Sequence, residues 1–128
     1  MIENLPGTYN SAPQLGELLD PLPELGLHLD IGHANLEVPH NTTEEILAAY
    51  GTRLRHVHLH DNRGGNADLH LPLGAGNVDV RRGIEALKRC GYDGTITLEV
   101  FTPDRSYLGH SRDVLRGMWG ASGVRQSA

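Results

Sequence analysis

Apolar and polar residues alternate along four short stretches of the chain, and a helical pattern of apolar residues follows each stretch. The alternation predicts strands over residues 2–5, 25–30, 54–60 and 95–100. Apolar spacing of three and four residues predicts helices over 13–20, 79–90 and 106–119. A further helix follows the capping pattern at Thr42-Thr43 and ends near Tyr50, where Gly51 stops it.

The predicted order is therefore β-α repeated four times, which is typical of parallel strands joined by right-handed crossovers. Four such units make half of an eight-stranded barrel, whose usual length is about 250 residues. A doubly wound three-layer sheet is the alternative. Each predicted strand has one polar residue at or near its carboxyl end: Glu3, Asp30, His58 and Glu99. This pattern favours the barrel, because a parallel barrel brings all of its strand ends together around one pocket. We expect an α/β half TIM barrel over residues 1–120 and a flexible tail over 121–128.

Composition restricts the kinds of partner. The chain carries 16 acidic and 11 basic residues, a formal charge of −5, without a Lys/Arg cluster, which argues against binding to nucleic acid. A single cysteine, Cys90, cannot form an internal disulfide and fits a reducing compartment. No apolar run approaches the ~20 residues of a membrane span, and the first residues contain no apolar signal segment. We expect a cytoplasmic protein that does not bind membranes.

The segment from residue 56 to residue 77 is the part of the chain richest in potential metal ligands, with four histidines and two aspartates. His56, His58 and His60 alternate with apolar residues, so they share one face of a strand, and Asp68 and His70 follow two residues apart. Imidazole and carboxylate are ligands that zinc, manganese and iron have in common. The histidine triplet alone would suit a wet strand face equally well. Together with the D-x-H pair and the acidic strand ends, it predicts a metal site.

Five segments resemble, in order and spacing, the C-terminal half of the xylose isomerase-like TIM barrels, with strands equivalent to five to eight. They are Glu3-Asn4, LDIGH at 29–33, HVHLHD at 56–61, DLHLPLGAGN at 68–77 and LEV at 98–100. That superfamily includes sugar phosphate isomerases and epimerases and the endonuclease IV group of nucleases. The resemblance extends to about residue 103 and contains no counterpart of the first four strands.

The resemblance implies two sets of metal ligands. The metal that epimerases and nucleases share would be bound by Glu3, Asp30, His58 and Glu99. A further metal of the nuclease type would be bound by His33, Asp68 and His70. Two histidines that the nucleases take from early strands have no counterpart. The expected ion is Mn²⁺ or Zn²⁺, with Fe²⁺, Co²⁺ and Mg²⁺ left open.

In the epimerase-like members the metal holds the oxygens of a ketose and stabilises an enediolate, and Glu3 and Glu99 would be the acid/base pair that moves the proton. We expect His60 and Asp61 at the rim, where they bind substrate or orient a ligand. His28 and His56 are expected to pack or to support ligands. Gly74-Ala75-Gly76 is a weak match to a phosphate-binding turn.

Three functions follow as hypotheses. The first is a metal-dependent isomerase or epimerase of a sugar or polyol, active if a second half-barrel completes it. The second is a phosphodiesterase similar to endonuclease IV, favoured by His33, Asp68 and His70 and disfavoured by the acidic charge. The third is a non-catalytic half-barrel fragment or subunit. Because half a barrel has two open sheet edges, we expect a homodimer or pairing with a partner half-barrel.

Overall fold

A computed structural model of the chain describes residues 1–121. The strands are β1 (Ile2–Glu3), β2 (Leu27–Asp30), β3 (Leu54–Leu59) and β4 (Ile96–Leu98). The helices are α1 (Ala12–Leu19), α2 (Thr43–Tyr50), α3 (Val80–Arg89) and α4 (Ser106–Ala121). The predicted tail lies outside the described residues, except for Ala121 at the end of α4. No helix within residues 1–121 is long and apolar enough to cross a membrane.

The four strands form one parallel sheet in the order β1-β2-β3-β4, so strands that follow one another in the chain are also neighbours in the sheet. Helices adjacent in the chain pack against each other, α1 on α2, α2 on α3 and α3 on α4. A doubly wound sheet would instead place helices on both faces. The predicted parallel half-barrel is confirmed, and β1 and β4 are the outer strands of the described sheet.

Local sequence signals explain where three of the helices begin. The Ser11 hydroxyl accepts the N–H of Gln14 at 3.3 Å at the start of α1, and Asp79 accepts the N–H of Arg82 at 3.1 Å at the start of α3. Thr42 is the N-cap residue of α2, as expected, but its side chain makes no capping hydrogen bond. Asn41 Oδ1 accepts the N–H of Thr43 at 2.9 Å instead, because the Thr42 hydroxyl donates to the carbonyl of Ala34.

The two faces of the sheet have different compositions. Leu27, Leu29, Val57 and Leu59 are at most 1% exposed and belong to one core with apolar residues of the helices. Each fully buried side chain of this kind contributes about 1.5–3 kcal/mol. The alternate residues project from the opposite, inner face, where β2 and β3 place Asp30 beside His58. Burial on the helical side therefore fixes which polar residues face inward.

Asp61 fixes the long loop that follows β3. Its carboxylate is fully buried and accepts four backbone N–H groups at 2.8–3.0 Å, from Asn62, Gly74, Gly76 and Val78. The expected rim position of Asp61 is therefore wrong. The N–H groups of Gly74 and Gly76, which the phosphate-binding interpretation would need, donate to Asp61 instead. A side chain at Gly76 would collide with the backbone of Asn62.

We predict that Asp61→Ala lowers the free energy of unfolding by about 3 kcal/mol or more, because a buried N–H without an acceptor costs about 1–3 kcal/mol. Asp79→Ala is the matched control. It removes one exposed helix cap and is expected to cost about 1 kcal/mol. Guanidinium chloride denaturation of both variants measures the difference. Equal losses in the two variants would show that Asp61 does not hold the loop.

Candidate metal centre

The four residues expected to bind the shared metal meet at the carboxyl ends of the strands. Nδ1 of His58 lies 3.7 Å from Glu3 Oε1, 3.8 Å from Asp30 Oδ2 and 3.1 Å from Glu99 Oε1. Glu3, Asp30 and His58 each have a ligand atom within 4.8 Å of the other two. Glu99 follows directly after β4 and closes the group from the other side. We call these four residues the four-ligand centre.

Two buried atoms of this centre fit a cation. Asp30 Oδ2 and His58 Nδ1 are inaccessible to solvent and make no hydrogen bond within residues 1–121. A buried polar atom without a partner is costly, whereas a divalent ion would satisfy both atoms at once. Metal bonds of about 2.0–2.2 Å to oxygen and nitrogen would need only small side-chain movements in donors spaced as these are. The donor set of carboxylates and one imidazole suits Mn²⁺, Zn²⁺, Fe²⁺ or Co²⁺.

Asn4 holds Asp30 in place from the end of β1, and sequence reasoning did not assign it this function. Its Oδ1 accepts the N–H of Asp30 at 2.7 Å, and its Nδ2 donates to the carbonyl of Asp30 at 3.0 Å. Nδ2 also donates to Asn10 Oδ1 at 3.0 Å. Asn4 is fully buried and joins the ends of two strands. The only signal in the sequence was its place directly after Glu3.

His60 supports the other oxygen of Asp30. The imidazole is fully buried, and its Nε2 lies 2.9 Å from Asp30 Oδ1, which also accepts the N–H of His33 at 2.8 Å. Gly32 makes room for the ring, because a Cβ there would collide with it. The expected rim position of His60 is wrong, since His70 stacks on the ring with 4.0 Å between centroids. Asp30 therefore has Oδ1 occupied and Oδ2 directed at the four-ligand centre.

Burial and charge shift several pKa values at the centre. Burial raises the pKa of Asp30, but the adjacent His60 and His33 outweigh it and hold that pKa below its usual range. Burial lowers the pKa of His60, but Asp30 outweighs burial and raises it. Each of the two groups therefore favours the charged form of the other. Burial, followed by the charge of Asp30, raises the pKa of Glu3, and burial with His58 and His56 lowers the pKa of His28 to about 4.

His33, Asp68 and His70 form a neighbouring group. Nδ1 of His33 is bonded to the carbonyl of Asn4 at 2.9 Å, and Nδ1 of His70 to the carbonyl of Glu99 at 3.0 Å. Because a carbonyl oxygen only accepts, each Nδ1 carries a proton, and Nε2 is the nitrogen left in each ring to bind a metal. Both Nε2 atoms lie near Asp68 Oδ2, at 3.1 and 3.2 Å. Two imidazole nitrogens and one carboxylate oxygen therefore face one another. Only a cation or an additional ring proton would relieve the repulsion between their lone pairs.

His70 also has an unusual backbone. Its φ of 49° is in the left-handed region, which costs free energy for a residue other than glycine. The ring is stacked between His60 and the exposed Phe101, whose centroid lies 4.4 Å away. Strain of this kind persists where neighbours fix the conformation, and such positions are concentrated at functional sites.

Comparison with known proteins decides the family. The model of the family described as xylose isomerase-like TIM barrel matches residues 1–118. The chain belongs to this family.

Two curated members are similar to part of the chain. An uncharacterized protein of Methanocaldococcus jannaschii, MJ1311, is 38% identical over 104 residues, which cover 77% of this chain and 35% of that protein. A ketose 3-epimerase of Arthrobacter globiformis is 33% identical over 102 residues, which cover 76% of this chain and 32% of the epimerase. The chain therefore spans about a third of the length of these xylose isomerase-like relatives.

Two solved structures of family members are also similar. A D-tagatose 3-epimerase-like protein superposes with a TM-score of 0.75 at 31% identity, over 91% of this chain and 45% of the other. D-allulose 3-epimerase from Methylomonas sp., solved in complex with D-allulose, gives a TM-score of 0.61 at 31% identity, over 94% of this chain and 42% of the other. The chain matches less than half of each of these structures, as expected for a unit with four of the eight strands of a barrel.

We predict that Glu99→Gln weakens Mn²⁺ binding at least about tenfold, because it removes a charged ligand. His70→Gln is the matched control, since it should leave Mn²⁺ binding intact while removing one equivalent of Zn²⁺. Equilibrium dialysis with metal analysis measures both. Unchanged Mn²⁺ affinity in Glu99→Gln would contradict the four-ligand assignment. A wild-type chain saturated by a single Zn²⁺ would remove Asp68 and His70 from the metal ligands.

Proposed function

We propose that this chain provides the metal-binding and proton-transferring half of a divalent-metal-dependent sugar epimerase or isomerase that acts on a ketose. One observation carries this proposal: three carboxylates surround the buried Nδ1 of His58, those of Glu3, Asp30 and Glu99. Membership of a family with a ketose 3-epimerase among its relatives supports it. The sugar would bind at the carboxyl ends of the strands, where barrel enzymes of this kind have their active sites.

The four-ligand centre would hold Mn²⁺ or Zn²⁺, with Fe²⁺, Co²⁺ or Mg²⁺ as alternatives. An ion bound there would polarise the ketose carbonyl and stabilise negative charge on its oxygen. Asn4 and His60 keep Asp30 oriented for this task, because they bind its backbone and its second oxygen. The protein thus supplies ligands that need little reorganisation when the substrate arrives.

In this proposal Glu3 and Glu99 move the proton. They come from the two outer strands of the described sheet and approach His58 Nδ1 to 3.7 and 3.1 Å. One glutamate, ionised at the start, would take the proton from the carbon beside the carbonyl onto its own oxygen, and the other, protonated at the start, would give its proton to the opposite face of that carbon. The configuration of the carbon is inverted, and one glutamate ends protonated until it exchanges with solvent. The partial burial of Glu3, which raises its pKa, suits a proton carrier.

A metal-dependent phosphodiesterase is the second candidate. The two Nε2 atoms that converge on Asp68 favour it, because a one-metal epimerase has no need of a further metal site. The formal charge of −5 opposes it, since a nucleic acid would meet few cationic side chains. The Zn²⁺ that depends on His70 separates the two functions: an unchanged number of bound ions in His70→Gln favours the epimerase, and the loss of one ion favours the phosphodiesterase.

A non-catalytic half-barrel is the third hypothesis, and assembly bears on it. The described sheet ends at β1 and β4, each with an unpaired edge, and its inner face carries the candidate site. Completing a barrel would cover both edges and enclose the site. We infer that the chain works as a homodimer or with a complementary half-barrel.

The isolated chain is expected to scatter light as a species of about twice its 14.0 kDa mass or larger, because open parallel edges associate. Multi-angle light scattering over a range of micromolar concentrations is the measurement. A monomer that unfolds cooperatively at these concentrations would contradict the proposed pairing.

Proton transfer is tested by isotope exchange. With Mn²⁺ in D₂O, the assembled chain is expected to introduce deuterium at C3 of D-tagatose or D-allulose, the carbon beside the carbonyl. Glu3→Gln and Glu99→Gln should each slow exchange by at least about 100-fold, the usual contribution of a general acid or base. His40→Gln, which changes an exposed histidine, is the control. Exchange at the wild-type rate in both glutamate variants, followed by NMR, would refute the assigned roles.

A further inference from the structure

A second group of histidines lies on the inner face of the sheet, one step towards the amino ends of the strands from the four-ligand centre. His28 and His56 are direct partners across β2 and β3, and His58 follows two residues after His56. The ring centroids are 5.0 Å apart for His28 and His56, 4.1 Å for His28 and His58, and 5.1 Å for His56 and His58. His28 and His56 have no part in the function proposed above.

The donor atoms of this group are close enough to share an ion. Each imidazole offers one nitrogen within 4.8 Å of the nitrogens of the other two. Nitrogens bound to one Zn²⁺ at about 2.0–2.1 Å are closer than this, so small rotations of the rings would complete the site. Nε2 of His28 is inaccessible to solvent and has no hydrogen-bond partner in the described part of the chain. A bound cation would give this nitrogen the partner that the protein does not supply.

The other two histidines are already oriented. Nδ1 of His56 lies 3.2 Å from the Thr95 hydroxyl, and Nε2 lies 3.1 Å from the Thr97 hydroxyl. Whichever nitrogen binds an ion, the other keeps a hydroxyl that fixes the tautomer and the plane of the ring. Nδ1 of His58 faces Glu3, Asp30 and Glu99, so its Nε2 is the atom left for the second group.

We propose that His28, His56 and His58 form a second transition-metal site that takes a borderline ion such as Zn²⁺ or Cu²⁺. A set of three imidazoles without carboxylate favours these ions over Mn²⁺ and Mg²⁺, which prefer oxygen. His58 belongs to both sites, and when both are filled its ring releases its remaining proton to solvent. The two sites therefore differ in ion preference and are linked through one residue.

Copper titration of the full chain tests this site. In His28→Gln/His56→Gln we expect the loss of one equivalent of Cu²⁺ and of the electron paramagnetic resonance signal with hyperfine splitting from three nitrogens. Mn²⁺ binding at the four-ligand centre should be retained. His58→Gln should lose both the copper signal and tight Mn²⁺ binding. The control is His40→Gln/His110→Gln, which removes two exposed histidines and should bind Cu²⁺ as the wild type does.

An unchanged copper stoichiometry and nitrogen pattern in His28→Gln/His56→Gln would overturn the proposal and leave the three rings as packing groups. An equal loss in the His40/His110 control would also overturn it, since binding would then be to surface histidines. If circular dichroism shows that the double variant is unfolded, His28→Gln and His56→Gln are measured singly. Each must then remove the three-nitrogen signal, and its survival in either one refutes the site.

Discussion

The carboxylate of Asp30 is buried at the end of β2, and the inner face of the sheet is arranged around it. Asn4 binds its backbone from β1, and His60 contacts Oδ1 from the end of β3. The turn that follows β2 contributes the N–H of His33. A buried charge must be compensated, and His60 and the N–H of His33 do this at the carboxylate, while Asn4 fixes the backbone that carries it. Oδ2 alone is left for an ion.

The two faces of the sheet are stabilised by different physics. On the helical side, leucine and valine side chains are removed from water, and the gain is non-directional. On the inner side, carboxylates and imidazoles stand close together, and their stability depends on protons or cations between them. Four of these carboxylates lie around the strand ends: Glu3, Asp30, Asp68 and Glu99. These carboxylates repel one another, and a cation between them would relieve the repulsion. The apolar side of the sheet supplies the burial that stabilises the fold despite this repulsion.

The chain matches less than half of each related structure, and the four candidate ligands nevertheless lie together at one end of its sheet. This is a consequence of parallel topology, since four neighbouring strands direct four carboxyl ends to the same rim. A second half-barrel would add walls around these four side chains.

The sequence by itself determined the order of the strands and helices, the parallel sheet and the four residues at the strand ends. These follow from periodicity and short spacing, which are local properties. Only the tertiary structure decided that Asp61 ties down a loop, that Asn4 holds Asp30 across 26 residues and that His60 is buried. It also decided that the Thr42 hydroxyl, at the N-cap of α2, donates to the carbonyl of Ala34 and accepts no N–H of the helix. Each of these depends on a partner distant in sequence, and no local pattern encodes which backbone group will lie opposite a polar side chain.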